Sequence, residues 1–231
     1  MKTIGLLGGM SWESTVLYYR WINEAVKQRL GGLHSARIVM LSVDFQEIED
    51  LQRAGRWEES GHVLGKNAAQ LQAAGADFLV ICTNTMHLVV PQIEEHISIP
   101  ILHIADATAD AIREAHIQCV GLLGTKFTME KDFYAGRLQK KHGLQVLTPS
   151  AADREIVHRV IYEELVLGLV KEESRAEYVR IIQSLQEQGA QGVIAGCTEI
   201  GILVKQADSP LPLFDTARVH ALSAVDLALS D

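Results

Sequence analysis

Two stretches decide the fold. Gly75-Ala76-Asp77-Phe78-Leu79-Val80-Ile81-Cys82-Thr83-Asn84 lies over Gly189-Ala190-Gln191-Gly192-Val193-Ile194-Ala195-Gly196-Cys197-Thr198 without a gap, at an offset of 189 − 75 = 114. Each opens on glycine, runs through an apolar strand and ends on polar residues. Upstream, Ile4-Gly5-Leu6-Leu7-Gly8 lies over Val120-Gly121-Leu122-Leu123-Gly124 at 120 − 4 = 116. Downstream, Ile99-Pro100-Ile101-Leu102-His103 echoes Leu211-Pro212-Leu213-Phe214-Asp215. Three segments repeated in the same order at nearly constant spacing predict two related α/β halves.

Between these anchors, short β-rich runs alternate with longer amphipathic stretches. Strands are expected at 3–7, 37–43, 78–82, 120–123, 144–147 and 192–195, and helices near 12–28, 57–74, 88–96, 129–142, 153–169 and 176–187. Such alternation implies βαβ units and largely parallel sheets. The expected architecture is α/β, with two pseudo-symmetric lobes, each a mostly parallel sheet flanked by helices, and an active site in the cleft between them. The N-terminal lobe is expected to comprise 1–100 plus about 212–231, and the C-terminal lobe 101–211.

Composition narrows the function. The 231 residues are 48% hydrophobic and 22% charged, the balance of a folded globular chain rather than a disordered one. A formal charge of −8, from 21 Lys and Arg against 29 Asp and Glu, argues against a nucleic-acid partner. No apolar run approaches the ~18 residues of a membrane span, so no membrane partner is expected. Met1-Lys2-Thr3-Ile4-Gly5 enters strand-like sequence without the zones of a signal peptide, and three cysteines are too few for a disulfide framework. The expected setting is the reducing cytoplasm.

In parallel α/β sheets, ligands bind beyond the carboxyl ends of the strands. The repeat puts Gly8-Gly9-Met10-Ser11, Thr83-Asn84-Thr85, Gly124-Thr125-Lys126-Phe127-Thr128 and Cys197-Thr198-Glu199 at such ends. The 114-residue offset superposes Cys197 on Thr83 and not on Cys82. Neighbouring strand residues point to opposite faces, so Cys82 is read as core and Thr83 and Cys197 as the facing pair. A helix expected from about Thr198-Glu199 would favour a Cys197 thiolate through its amides and dipole. Cys119 is read as core. The turn after Gly8 fits a carboxylate-sized anion, although simple turn-forming glycines are an equal reading; it is neither a dinucleotide fingerprint nor a P-loop. His34, His62, His96, His116 and His142 read as exposed or helix-surface residues, and no spacing suggests a metal site. His87 lies near the expected cleft as a satisfied histidine able to orient a neighbour; His103 and His220 carry no distinguishing context.

Several motifs together resemble the aspartate/glutamate racemase family of cofactor-independent amino-acid racemases. They are Gly8-Gly9-Met10-Ser11-Trp12, the Thr83-Asn84-Thr85-x-His87 block, the Gly-Thr-x-x-Thr turn at 124–128, Ile161-Tyr162-x-Glu164-Leu165 and Gly196-Cys197-Thr198-Glu199. The resemblance implies a small amino-acid substrate, no cofactor, a homodimer, and two cysteines flanking the substrate α-carbon. The second family cysteine falls on Cys197; the first falls on Thr83, a departure. A threonine hydroxyl lies outside the titrating range that suits a general base. The expectation is that Cys197 deprotonates the L-enantiomer while Thr83 donates or relays a proton on the other face, biasing the enzyme toward L-substrates. Asn84, Thr85, Thr125 and Thr198 are the expected substrate-binding residues, with Met10 and Gln52 carried over more loosely. Arg53 and Lys126 are candidates for a distal carboxylate. Two other readings compete: a single-cysteine decarboxylase of arylmalonate type, and a non-catalytic module that binds acidic amino acids.

Overall fold

The structure is a computed structural model and describes residues 1–230. The chain divides into two compact units, one formed by Met1–Ile104 with the C-terminal helix from His220 and the other by Ala105–Val219. The first contains β1 (Ile4–Gly8), α1 (Trp12–Leu30), β2 (Ile38–Ser42), α2 (Phe45–Arg53), α3 (Trp57–Ala73) and β3 (Phe78–Ile81). A 3-10 segment (Thr85–Val89) and α4 (Val90–Glu94) follow, and α5 (Ile104–Glu114) leads into the second unit. There the order is β4 (Cys119–Gly124), α6 (Lys126–Glu130), α7 (Asp132–His142), β5 (Gln145–Leu147) and α8 (Ala151–Glu163). It continues with α9 (Glu172–Glu187), β6 (Gly192–Gly196), α10 (Ile200–Leu203), β7 (Leu213–Asp215) and α11 (Thr216–Leu229). Among the described residues no helix is long and apolar enough to cross a membrane.

Both sheets are parallel, in the orders β2-β1-β3 and β5-β4-β6-β7. The sequence repeat reappears as hydrogen-bond register. Ile4 pairs Phe78 as Val120 pairs Gly192, positions related by the two offsets read from the sequence. Leu79 forms a single bridge to Ile101, and Val193 pairs Leu213 in the matching place. Pro100 and Pro212 each accept from the strand amide alongside, Leu79 N at 2.9 Å and Val193 N at 2.8 Å. Proline, which lacks a donor, fits these edge positions. Gly75 (φ 95°) and Gly189 (φ 105°) end α3 and α9 in a backbone region that other residues enter only under strain, which is why each repeat opens on glycine.

The central strands β1, β3, β4 and β6 are buried throughout, as parallel strands covered on both faces must be. Leu7, Ile48, Leu64, Leu79, Ile81 and Met86 belong to the core of the first unit, and Leu123, Val160, Tyr178, Ile182 and Val193 to that of the second. Each such side chain contributes roughly 1.5–3 kcal/mol by leaving water.

Several boundaries differ from the sequence expectations. The single helix expected over 153–169 stops at Glu163; Glu164 leaves helical geometry (φ −127°, ψ −64°) and Gly168 turns left-handed (φ 74°). The buried Glu164 carboxylate is held there by the Ser174 hydroxyl at 2.6 Å and by Lys171 at 3.3 Å. The stretch near 129–142 is two helices, broken where Lys131 adopts an extended conformation. The helix expected at 88–96 is a 3-10 turn followed by the short α4 with Pro91 in its first turn. Helices α2, α5 and α11 occupy stretches for which the periodicity named no element. The chain returns to the first unit after Val219, later than residue 212, because β7 is hydrogen-bonded to β6.

Candidate active site

At the end of β3, the chain turns through Cys82 and Thr83 into the 3-10 segment. Cys82 is fully buried, and burial pushes its thiol far up, so it is inert core. Thr83 is half-buried; its amide donates to Ile81 O at 2.9 Å. Its carbonyl accepts from His87 Nδ1 at 2.8 Å, and no group among the described residues hydrogen-bonds its hydroxyl. Asn84 and Thr85 follow, both buried. His87 is buried too. Its neighbours are His103, with ring centroids 4.6 Å apart, and His220 at 5.7 Å. The absence of context expected for His103 and His220 is thus corrected: tertiary packing gathers residues that sequence spacing keeps far apart.

At the end of β6, Cys197 is half-buried and packs against the core of its unit. Its Sγ donates to Glu199 Oε2 at 2.9 Å. Burial above all, then the Glu199 charge and the hydrogen bond to it, push the thiol well above its usual range; the amides of Glu199 and Thr198 pull weakly the other way. The expected helix-stabilised thiolate is therefore corrected. Helix α10 is a single turn with few dipoles to sum, and the carboxylate beside the sulfur outweighs them. The geometry places Sγ as the donor to the Glu199 side chain. Glu199 was legible as part of a motif, but its side-chain contact with Cys197 was missed; an acid two residues after a strand-end cysteine was the available signal.

The other expected residues divide. Met10 is buried in the core of the first unit together with Met86, whose sulfur accepts from Gln52 Nε2 at 3.2 Å. The Gly9 amide donates to Thr15 Oγ1 at 2.9 Å, so it is not available as an anion donor, contrary to one reading of that turn. Gly9 itself is required: a Cβ there would lie 2.3 Å from Val43 O, at φ 94°. Thr125 is buried, and its hydroxyl caps α6 by accepting from Thr128 N at 3.3 Å. Thr198 is buried beside Cys197. Arg53 and Lys126 are exposed and face acids of their own surface, Glu49 and Glu155. Among the histidines read as surface, His34 and His116 are exposed, whereas His62 and His96 contact each other at 3.2 Å and His142 is tucked against Asp106 at 2.8 Å.

Strand-end sites of this kind on a duplicated parallel α/β scaffold define a class of enzyme, and comparison with known proteins gives it a family. The family described as Asp/Glu/hydantoin racemase matches residues 7–224. A solved structure of a candidate Asp/Glu racemase from Yersinia pestis is similar over 100% of both chains, at 55% identity and a TM-score of 0.95. An aspartate racemase homologue from Pyrococcus horikoshii OT3 is similar over 100% of both chains, at 34% identity and a TM-score of 0.86. The broad-specificity amino-acid racemase RacX of Bacillus subtilis is 25% identical over 71% of this chain and 70% of its own. The chain belongs to the Asp/Glu/hydantoin racemase family. Its enzyme class is that of the amino-acid racemases, isomerases that invert a carbon centre.

Proposed function

We propose that this protein racemises amino acids, aspartate and glutamate or a broader set, without a cofactor, and that its two bases are unequal. Cys197 takes the α-proton of the L-enantiomer, and Thr83 serves the opposite face. The observation that carries this is the 2.9 Å contact from Cys197 Sγ to Glu199, at the strand-end position that the repeat equates with Thr83. The same carboxylate that favours the protonated thiol in the resting site is the acceptor to which that proton passes when substrate binds, which lets the sulfur act as a general base.

Glu199 accepts the Cys197 proton, the thiolate removes the α-proton, and the electron pair remains on the α-carbon, delocalised into the carboxylate. Donation from the Thr83 hydroxyl to the other face completes inversion; water restores the Thr83 proton, and Glu199 returns its proton to solvent. Asn84, Thr85, Thr125 and Thr198, with Met10 and Gln52 carried over more loosely, hold the substrate, and backbone amides of the turns after β3 and β6 serve its α-carboxylate.

Enantiomers have equal free energy in water, so kcat/KM for inversion must be the same in both directions. The L-bias is therefore expressed as exchange without inversion: L-substrate trades its α-proton with solvent more often than it becomes D. The exposed apolar stripe of Trp12, Val16 and Tyr19 on α1 supports the homodimer reading as a surface that a second copy of the chain would cover.

Proton NMR of each enantiomer of several amino acids in D2O, repeated with Cys197→Ser, tests the reading. Loss of the α-proton signal with wild type and none with the variant supports it. Exchange that survives the substitution, or carbon dioxide release from a disubstituted malonate without amino-acid exchange, overturns it.

A further inference from the structure

The function so far leaves His87 unused, although its two ring nitrogens have partners that fix its protonation. Nε2 lies 3.2 Å from the amide nitrogen of Ile104, which can only donate, so Nε2 accepts. The remaining proton is on Nδ1, which donates at 2.8 Å to the carbonyl of Thr83, a group that can only accept. A neutral ring is the form that burial and the neighbouring His103 and His220 also favour, since all three hold its pKa down. His220 is fixed in the opposite tautomer. Its Nε2 faces Leu102 O at 2.7 Å, an acceptor, and its Nδ1 receives the Tyr18 hydroxyl at 3.0 Å. The ring of His87 thereby ties Thr83, two residues beyond β3, to the first amide of α5, one of the helix N–H groups that lacks an intrahelical partner.

From this geometry we infer that His87 is a positioning residue for the inverting face: by holding the Thr83 carbonyl, it fixes the backbone from which the Thr83 hydroxyl reaches the substrate. The inference rests on the proposed racemase reading and adds to it a division of labour. His87 acts on one face alone, because Cys197 is oriented by its own partner, Glu199. A displacement of about 1 Å in a reacting group can cost on the order of a hundredfold in rate, so a single backbone hydrogen bond is enough to matter.

Two substitutions separate the nitrogens. Asn places its amide near Nδ1 and keeps a donor for Thr83; Gln reaches the Nε2 position and keeps an acceptor for Ile104 but gives Thr83 nothing. His87→Gln is expected to slow inversion about tenfold, while deuterium wash-in to recovered L-substrate stays within about twofold of wild type; His87→Asn restores much of the inversion. Parallel loss of wash-in and inversion in His87→Gln marks a merely structural role and overturns the inference, as does no loss of either. A readout independent of turnover keeps the two claims apart. Long-range 15N–1H spectra of wild type are expected to show His87 protonated on Nδ1, with the Thr83 carbonyl 13C signal shifted in His87→Gln and near its wild-type position in His87→Asn. An Nε2-protonated His87, or an unmoved carbonyl signal, overturns the positioning role even if the enzyme racemises. Absence of any exchange by wild type, with the spectra as expected, overturns the racemase reading and leaves the His87–Thr83 contact standing.

Discussion

The ends of β3 and β6 are the same place in two copies of one design, finished differently. Register equates Thr83 with Cys197, Asn84 with Thr198 and Thr85 with Glu199. Where the second unit has a sulfur and, two residues on, the carboxylate to which it donates, the first has one hydroxyl followed by another. The first unit instead invests in the backbone: a buried histidine grips the Thr83 carbonyl and leaves the Thr83 side chain without a partner among the described residues. On the proposed reading, one end of a duplicated scaffold serves proton abstraction and the other proton delivery. What separates them is not the fold but two side chains at matched positions.

Glu199→Gln should produce the largest change. It keeps size and hydrogen bonding but removes the proton acceptor, so exchange at the α-carbon of L-substrate should fall by roughly a hundredfold or more, as for loss of a general base. An unchanged or raised rate would show that Glu199 only holds the thiol protonated and is not the acceptor of its proton. Substitution in the first unit tests the same logic in reverse. Thr83→Cys alone should raise wash-in to D-substrate by about tenfold or less, whereas Thr83→Cys with Thr85→Glu should raise it further, because the new sulfur then has its own acceptor. Equal gains from the single and double variants would break the equivalence of the two strand ends.

The units also differ in how they hold their polar groups, and this sets smaller effects. In the second unit, Asp106 accepts from Arg137 through both oxygens at 2.7 and 2.8 Å, from Lys141 at 2.7 Å and from His142 at 2.8 Å. Burial alone would raise its pKa, but these donors outweigh it and hold the carboxyl well below the usual range. A carboxyl depressed in the folded state stabilises it above the unfolded-state pKa and loses that contribution as pH falls toward the folded value. Asp106→Asn should therefore cost about 1–3 kcal/mol at neutral pH and flatten the decline of stability below about pH 4, as measured by denaturant melts across pH. In the first unit, by contrast, the fully buried Ser60 hydroxyl has no hydrogen-bond partner among the described residues. Ser60→Ala should leave the melting temperature unchanged or raise it slightly, by the equivalent of about 0.5 kcal/mol, since alanine removes an unsatisfied polar group and favours the helix. A clear loss would mean that the hydroxyl has a role in the folded unit.

The sequence made the scaffold legible because the repeat is written in residues whose physics is local: a glycine that ends a helix, an apolar run buried on both faces, a proline at a sheet edge. It also set Thr83 against Cys197, since an offset of 114 fixes which strand residue matches which; the pair's role in the reaction is part of the proposal. The direction in which its surroundings push the Cys197 thiol was not legible. It depends on a side-chain rotamer that brings Glu199 to the sulfur, and on desolvation, neither of which leaves a periodic trace. The histidines fared similarly. His87, His103 and His220 lie far apart in the chain and meet only through packing. The break at Glu164 was hidden because a buried carboxylate held by Ser174 overrides a helical pattern that continues beyond it.

The unequal pair is tested most directly by following deuterium into each enantiomer at early times. Starting from L-aspartate, L-glutamate or the best substrate found, wash-in to recovered L-material should run several-fold ahead of inversion. Starting from the D-enantiomer, label in recovered D-material should not run ahead of conversion to L. Equal wash-in to both recovered enantiomers would mean two equivalent bases and would contradict the account.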